Sequence, residues 1–206
     1  MPDYIHSDEH IVVVSKPAGL LSVPGRGEDK QDCLWRRVQQ RFPTARIVHR
    51  LDQATSGLLI LALSAETHRQ LSMQFERRTP VKRYQAIVAG VPDATEGRVE
   101  LPLRCDWDNR PRQMVDPVAG KAACTEWKQL EVLQDRTRLA LYPITGRSHQ
   151  LRVHMLAMGH PILGDGFYAP PPLDSAADRL LLHAEQLELE HPVTGEWMRF
   201  FAPCPF

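Results

Sequence analysis

Uninterrupted apolar runs indicate the buried strands of this chain. Residues 11–14 are all apolar, and residues 57–63 (Gly-Leu-Leu-Ile-Leu-Ala-Leu) contain no polar side chain. Because strand residues alternate between the two faces of a sheet, a run without polar positions predicts a strand buried on both faces. A third, shorter strand is predicted at 47–49. The Pro and Gly residues of segment 16–25 predict an ordered loop after the first strand.

Apolar positions three or four residues apart predict three helices. The first begins at the candidate cap Asp32 and extends to about Phe42. The second begins after Ser64 and ends at the arginines 77 and 78, where the helix dipole favours cations. The third begins after Ser148 and ends at Gly159, because serine is a common N-cap and glycine a common C-terminal stop.

Strands dominate the rest of the chain, at residues 84–91, 97–101, 125–132, 138–144, 180–183, 187–190 and 197–201. No linker, repeat or low-complexity segment divides the sequence. We therefore predict one α+β domain over residues 1–206, built on a mixed, mostly antiparallel sheet.

The net charge of the chain is zero because basic and acidic regions offset one another. The 206 residues contain 25 basic and 25 acidic side chains, and 20 of the basic residues are arginine. Residues 33–83 have a net charge of +7 and residues 161–206 a net charge of −5. Arginine binds phosphate through two parallel hydrogen bonds, so the first region is a candidate nucleic-acid surface. Alternatively, a GC-rich genome would produce the same arginine bias without any function.

The sequence contains no pattern typical of export, of disulfide bonding or of cofactor binding. No early segment combines a basic start with a long apolar run, so neither export nor membrane insertion is expected. The four cysteines are scattered without a Cys-x-x-Cys pair, which favours reduced thiols in a cytoplasmic protein. No phosphate-binding glycine motif and no metal-ligand spacing is present, so we expect no cofactor and no metal.

Two short polar segments are candidates for chemistry. Residues 49–57 (His-Arg-Leu-Asp-Gln-Ala-Thr-Ser-Gly) lie between two predicted strands and place Asp52 on an ordered connection. Alternatively, Asp52 simply caps this turn. Residues 146–150 place Arg147 at a strand-to-helix junction, where it would bind an RNA phosphate, hold a carboxylate ionised, or merely pack on the surface. Tyr84 is either a sheet residue or a platform for stacking bases.

The motifs together resemble the RluA family of pseudouridine synthases. They are Lys-Pro-Ala-Gly-Leu at 16–20, the His-Arg-Leu-Asp segment at 49–57, Lys-Arg-Tyr-Gln-Ala at 82–86, Gly-Arg-Ser-His-Gln-Leu-Arg-Val-His at 146–154, 158–165 and Leu-His-Ala at 182–184. The resemblance implies the pseudouridine synthase fold, with an active-site cleft across the sheet. Relatives often carry an N-terminal RNA-binding module of the S4 type, for which we expect no room here.

The resemblance also implies the roles of individual residues. Asp52 would be the essential carboxylate, Arg147 would keep it ionised, and Tyr84 would stack on the uracil. Arg50 would fill the space left by a flipped base. The expected RNA-binding residues are His49, Arg50, Arg36, Arg37, Arg41, Arg77, Arg78, Arg83, His149 and Arg152.

The implied reaction is the cofactor-free isomerisation of uridine to pseudouridine. Attack of Asp52 on C1′ of the sugar, attack on the base, and proton removal at C2′ to give a glycal all agree with the pattern. Segments 20–26 and 105–111 resemble members with two substrates, a uridine in 23S rRNA and one in a tRNA anticodon stem-loop. A monomer is expected. The competing functions are a non-catalytic RNA-binding or chaperone protein and an RNA hydrolase.

Overall fold

A computed structural model describes residues 2–206, which divide into two compact units. The first unit contains the residues up to Lys82 together with His183–Pro205, and the second contains Arg83–Leu182 with Phe206. The expectation of one catalytic domain over residues 1–206 concerns the chain as a whole and stays a prediction.

Strands outnumber helices in the described residues. In chain order the strands are β1 (Asp3–Ser7), β2 (Ile11–Lys16), β3 (Arg46–Ile47), β4 (Ser56–Ala62), β5 (Val81–Ala89), β6 (Glu96–Val99), β7 (Leu103–Cys105), β8 (Gln113–Val115), β9 (Thr125–Leu133), β10 (Arg136–Pro143), β11 (Leu182–Glu190) and β12 (Trp197–Phe201). The α-helices are α1 (Leu34–Gln39), α2 (Ala65–Arg77) and α3 (Gln150–Ala157). None of these helices has the length and apolar character that a membrane crossing requires.

The first unit is built on a sheet in the order β1-β2-β4-β11. Strand β12 pairs with β11 and the short β3 pairs with β4. The β4–β11 pairing is parallel, whereas β1–β2, β2–β4, β3–β4 and β11–β12 are antiparallel. The predicted mixed, mostly antiparallel sheet is therefore confirmed.

The core of the first unit surrounds β4, of which every residue is buried. Leu58, Ile60 and Ala62 share one face of this strand and pack with Leu71 of α2 and Leu189 of β11. Each fully buried aliphatic side chain of this size contributes about 1.5–3 kcal/mol to stability. The apolar run predicted as a strand buried on both faces is thus the centre of the unit.

Gly57 begins this strand for a steric reason. Its φ is +114°, and a Cβ atom at this position would overlap the backbone of Ala184 on the parallel neighbour β11. Only glycine permits the two backbones to approach so closely.

The second unit is an antiparallel sheet in the order β5-β10-β9-β6, together with a separate β7–β8 hairpin. Helix α3 packs against the hairpin through a small apolar cluster of Leu103, Ala123 and Val153. The helix ends before Gly159, which has a φ of +82° as expected of a C-terminal stop.

Two of the three predicted helix starts are wrong. Asp32 does not cap α1; the N-cap is Cys33, and the Asp32 carboxylate binds Arg37 instead. Ser148 does not cap α3, because the N-cap is His149 in a left-handed backbone conformation. Ser64 is confirmed as the cap of α2, and its hydroxyl accepts a hydrogen bond from the amide of the third helical residue at 3.1 Å.

Candidate functional site

Asp52 lies on the connection between β3 and β4, where the sequence predicted it. Its backbone carbonyl accepts a hydrogen bond from the Thr55 amide at 3.1 Å, which closes a tight turn over residues 52–55. Asp52 is half-buried and Thr55 is buried. The turn is therefore closed by backbone atoms, at the start of the most buried strand of the unit.

Both sequence neighbours of Asp52 are held by the end of β2 and the loop that follows it. The Ser22 hydroxyl donates to the Leu51 carbonyl at 2.7 Å and accepts from the Leu51 amide at 3.1 Å. On the other side, the Gln53 carbonyl accepts from Lys16 Nζ at 3.0 Å. The backbone on either side of Asp52 is consequently held, which restricts where its carboxylate can lie.

Lys16 makes this attachment from a fully buried position. Its ammonium group donates to three backbone carbonyls, those of Pro17 at 2.9 Å, Leu20 at 2.7 Å and Gln53 at 3.0 Å. The Gly19 amide adds a bond of 2.8 Å to the same Gln53 carbonyl. A buried ammonium is tolerated only when its donors are satisfied, so Lys16 requires the loop in this arrangement.

His49 is half-buried and belongs to the support of the loop. Its ring stacks on Phe75 of α2 with centroids 4.5 Å apart, and its Nε2 accepts a hydrogen bond from the Ile60 amide at 3.2 Å. Burial and the positive charge of Lys82 lower the pKa of His49 to about 3. The ring of His49 is thus packed between a helix and β4, and its role in RNA binding stays a prediction.

The charges of Lys82 and Arg78 act in the region of His49. Burial, and then the charge of Arg78, lower the pKa of Lys82. Arg50, Arg77 and Arg78 are exposed. We call Arg50, Arg77, Arg78 and Lys82 the basic cluster. The like charges of Lys82 and Arg78 disfavour each other, and an anion such as a phosphate would relieve that cost.

The arginines of the first helix have different surroundings. Arg36 is exposed. Arg37 donates two hydrogen bonds to the Asp32 carboxylate, at 2.8 and 2.5 Å. The guanidinium of Arg41 is exposed and lies 4.8 Å from the centre of the Tyr4 ring. Arg36 and Arg41 thus present their charge to solvent, whereas that of Arg37 is already paired.

Tyr84 and Arg83 belong to β5 in the second unit. Tyr84 is half-buried and stands opposite Leu141 of β10 in the antiparallel register. Arg83 is also half-buried. Tyr84 is therefore a residue of the sheet, as one of the two sequence interpretations had it, and its stacking on a base stays a prediction.

Arg147 lies in the loop between β10 and α3. Its amide donates to Gln150 Oε1 at 3.0 Å, and its Nε donates to the Ala122 carbonyl at 3.1 Å. Gln150 is itself buried. Its Oε1 also accepts from the Thr145 hydroxyl at 2.6 Å, and its amide group donates to the Cys124 carbonyl at 2.8 Å. The side chain and the backbone of Arg147 are thus both fixed.

His149 has a strained backbone two residues further on. Its φ of +53° lies in the left-handed region, which a residue with a Cβ atom adopts only when its surroundings stabilise it. Its Nδ1 is 2.6 Å from the Tyr168 hydroxyl. The half-buried ring is therefore engaged within the protein, and a role of His149 in RNA binding stays a prediction.

Arg152 is a correction to the sequence analysis. Its side chain is only 4% exposed, and it donates to both carboxylate oxygens of Asp165 at 2.8 and 2.5 Å. The rings of Phe167 and Tyr168 lie 5.2 and 5.0 Å from its guanidinium. Because the group is buried and paired, it stabilises the second unit and is not available for a phosphate.

An exposed aromatic residue that sequence reasoning missed lies in the loop of the β7–β8 hairpin, residues 106–112. Trp107 is 64% exposed, and the guanidinium of Arg110 lies 5.1 Å from the centre of its ring. An exposed ring beside a cation is suited to stacking on unpaired bases. The signal in the sequence was a tryptophan among turn-forming polar residues.

The structure thus places the predicted residues in two groups. The first unit holds Asp52 and the basic cluster on connected elements, and the second holds Arg83, Tyr84, Arg147 and His149. Sequence reasoning also missed Lys16, Ser22 and Lys82, although Lys16 and Lys82 stood in recognised motifs. Within residues 2–206, no three or more His, Cys, Asp or Glu side chains form a group that would hold a metal ion.

Comparison with known proteins agrees on one family. A family model described as RNA pseudouridylate synthase matches residues 10–157. The dual-specificity RNA pseudouridine synthase RluA of Escherichia coli (strain K12) is 55% identical over 203 residues, which cover 98% of this chain and 93% of that protein. Its counterpart in Pasteurella multocida (strain Pm70) is 51% identical over 205 residues, 99% of this chain and 94% of that protein.

Solved structures support the same fold. Human RNA pseudouridylate synthase domain containing 1 has a TM-score of 0.84 at 27% identity, and covers 100% of this chain and 84% of its own. Human RNA pseudouridylate synthase domain containing 4 has a TM-score of 0.79 at 27% identity, with coverage of 98% and 88%.

Proposed function

Because the chain belongs to the RNA pseudouridylate synthase family, we propose that it isomerises uridines in 23S rRNA and in tRNA anticodon stem-loops, with Asp52 as the essential carboxylate. The observation that carries the assignment of Asp52 is its place on a turn held from both sides, by Ser22 through Leu51 and by Lys16 through Gln53. A carboxylate that must meet one atom of a flipped nucleotide needs such a fixed backbone.

The reaction conserves every atom and every electron of the nucleotide. The bond between N1 of uracil and C1′ of the ribose breaks, the base turns, and C5 bonds to C1′ in its place. The hydrogen displaced from C5 leaves as a proton, and N1 gains one. No oxidant, reductant or group donor is needed, so the chemistry requires only groups that polarise, stack and transfer protons.

The proposed chemistry uses the side-chain carboxylate of Asp52. A carboxylate serves for attack on C1′, for attack on the base and for removal of the C2′ proton, and these three first steps are distinguished by the species they form. Glycosidases that transfer a sugar to water use a pair of carboxylates. The single acid assigned here is consistent with return of the base to the same sugar.

Tyr84 and Arg147 are the other two proposed catalytic residues. Tyr84 stacks on the uracil and takes part in proton transfer after the base has turned. Arg147 contributes a positive charge to the reaction, and the bond from its Nε to the Ala122 carbonyl orients the remaining guanidinium nitrogens.

RNA binding is assigned to exposed cations and rings. The target base leaves its stack, and the planar guanidinium of Arg50 occupies the vacated space. The basic cluster, with Arg36 and Arg41, contacts phosphates, and burial of Lys82 beside Arg78 is repaid by the anionic backbone. Trp107 and Arg110 of the hairpin loop provide a second contact surface.

The substrate class follows the most similar relatives. Two of them are named dual-specificity RNA pseudouridine synthases, and each is covered over more than nine tenths of its length. Together with the resemblance of segments 20–26 and 105–111, this supports one rRNA and one tRNA target. We place the protein in the cytoplasm as a monomer.

The experiment that tests the proposal is pseudouridine mapping of total rRNA and tRNA from cells lacking the gene. Cells complemented with the wild-type gene are expected to regain one 23S rRNA site and one anticodon stem-loop site, and cells carrying Asp52→Asn are expected to regain neither. Full restoration by Asp52→Asn would support the alternative, an RNA-binding protein whose effect needs no chemistry. Shortened RNA products would indicate hydrolysis.

A further inference from the structure

The Tyr168 hydroxyl joins two segments of the second unit that are far apart in the sequence. It accepts a hydrogen bond from the Gln113 amide at 2.7 Å, where β8 leaves the hairpin loop. It also shares a bond of 2.6 Å with Nδ1 of His149, in the loop that carries Arg147. One oxygen atom thus contacts both the RNA-facing hairpin and the segment of a proposed catalytic residue.

The His149 end of this link is strained. His149 has left-handed backbone angles and directly precedes the first residue of α3, only two positions after Arg147. Such a conformation persists where neighbouring contacts hold it, and it occurs preferentially at functional sites. The hydrogen bond with the Tyr168 hydroxyl is one such contact for His149. We expect that loss of this bond shifts the backbone of His149 and, with it, the position of Arg147.

The Tyr168 ring is fixed by contacts that do not involve its hydroxyl. The Tyr168 amide donates to the Asp165 carboxylate, which also binds Arg152. The guanidinium of Arg152 lies 5.0 Å from the centre of the ring, and the ring packs on the cluster that contains Val153. Removal of the hydroxyl alone therefore leaves the ring in place.

The Gln113 end leads to the exposed side chains of the hairpin loop. Gln113 begins β8, and Trp107 and Arg110 lie in the seven residues before it. The guanidinium of Arg112, next to Gln113, lies 5.9 Å from the Phe167 ring, beside Tyr168. RNA bound at Trp107 and Arg110 is therefore expected to displace β8, whose first amide donates to the Tyr168 hydroxyl.

We infer that Tyr168 is a positioning residue, whose hydroxyl couples RNA contact at the β7–β8 hairpin loop to the conformation of the Arg147–His149 segment. The inference rests on the proposed function for its RNA substrate. It assigns Tyr168 no contact with the reacting atoms. The coupling increases the rate of the chemical step once RNA is bound, and leaves the affinity for RNA nearly unchanged.

The test compares Tyr168→Phe with the wild-type protein on one RNA stem-loop. Loss of one hydrogen bond that acts in the chemical step is expected to lower the single-turnover rate about three- to tenfold. The dissociation constant for RNA is expected to stay within about twofold of the wild-type value. Tyr4→Phe is the matched control, since it removes the same atom from a ring in the first unit, and it is expected to retain full activity.

A double-mutant cycle then isolates the coupling. Trp107→Ala is expected to lower the single-turnover rate at saturating protein in the wild type, and to have a smaller effect in Tyr168→Phe. Additive effects of the two changes, an unchanged rate in Tyr168→Phe, or a loss of RNA affinity alone would each overturn the inference.

Amide hydrogen exchange on the RNA-free proteins provides a readout that does not depend on activity. Exchange in residues 145–150 and 112–114 is expected to be faster in Tyr168→Phe than in Tyr4→Phe. Equal exchange in the two variants would overturn the inference, whether or not the wild-type protein forms pseudouridine. A wild-type protein that forms no pseudouridine would count against the proposed function instead.

Discussion

The Ser22 hydroxyl binds both backbone groups of Leu51, the residue that directly precedes Asp52, at 2.7 and 3.1 Å. Both residues are buried, so water cannot easily replace either bond. The residue before the candidate nucleophile or base is therefore held by a side chain 29 residues earlier in the chain.

Replacement of Ser22 by alanine tests this support. Ser22→Ala leaves a buried amide and a buried carbonyl of Leu51 without this partner, and each such loss costs about 1–3 kcal/mol. We expect the free energy of unfolding, measured in urea, to fall by at least about 1–3 kcal/mol. The single-turnover rate of pseudouridine formation is expected to fall as well. Ser7→Ala, at an exposed position of β1, is the control and should change neither quantity. Wild-type stability in Ser22→Ala would show that the two bonds contribute little.

Replacement of Asp52 by asparagine separates chemistry from folding. The amide has almost the same shape but neither the charge nor the basicity of the carboxylate. We expect pseudouridine formation to drop by about 10³-fold or more, while thermal unfolding and RNA affinity stay close to wild type. Asp93→Asn, which changes an exposed carboxylate in the second unit, should keep full activity. Substantial turnover in Asp52→Asn would remove Asp52 from its role.

The salt dependence of RNA binding tests the basic cluster. Each phosphate contact contributes roughly 0.7–0.9 to the slope of log affinity against log salt concentration. Replacement of Arg77 and Arg78 by glutamine is expected to weaken RNA binding. The magnitude of the slope is expected to fall by the contribution of one to two phosphate contacts. Arg69→Gln is the matched control, because Arg69 lies on the same helix but is paired with Glu66. A slope that is unchanged in the double variant would place the phosphate contacts elsewhere.

The apolar pattern predicted the fold well where burial is complete, and less well where it is partial. Strand β4 was predicted from its apolar run because the sheet covers both its faces. Strand β1 (Asp3–Ser7) was missed, since it mixes polar and half-buried residues. Segments 180–183 and 187–190 were predicted as two strands, but β11 continues through Glu185, a buried polar residue that interrupts the apolar pattern.

The site shows a similar division. The motifs identified Asp52 and Arg147, whose residue types suggest their chemistry. Lys16 had no chemical interpretation in the sequence, because its three carbonyl partners are backbone atoms that only the folded loop brings to it. Arg152 was assigned to RNA although it is buried, because its acidic partner Asp165 lies 13 residues away in the chain.

The pH dependence of stability tests the environment of His49. Its pKa is about 3 in the folded protein and close to 6.5 in an unfolded chain. Between these values the unfolded chain binds more protons, so the contribution of His49 to stability is present above pH 6.5 and is lost as the pH falls towards 3. We expect urea unfolding to show decreasing stability from pH 7 to pH 4, with a shallower decrease in His49→Gln. Parallel curves for the two proteins would show that folding does not lower the pKa of His49.

The buried pair of Arg152 and Asp165 is expected to contribute strongly to stability. Arg152→Met removes one partner and leaves a carboxylate that is 1% exposed without its counter-charge, which typically costs about 3–5 kcal/mol. Arg37→Met provides a contrast, because the Arg37–Asp32 pair has similar distances but lies in solvent, where such a pair contributes about 0–1 kcal/mol. Urea unfolding should therefore separate the two variants by at least about 2 kcal/mol. If Arg152→Met instead retained stability and lost RNA affinity, the original assignment of Arg152 to RNA binding would be correct.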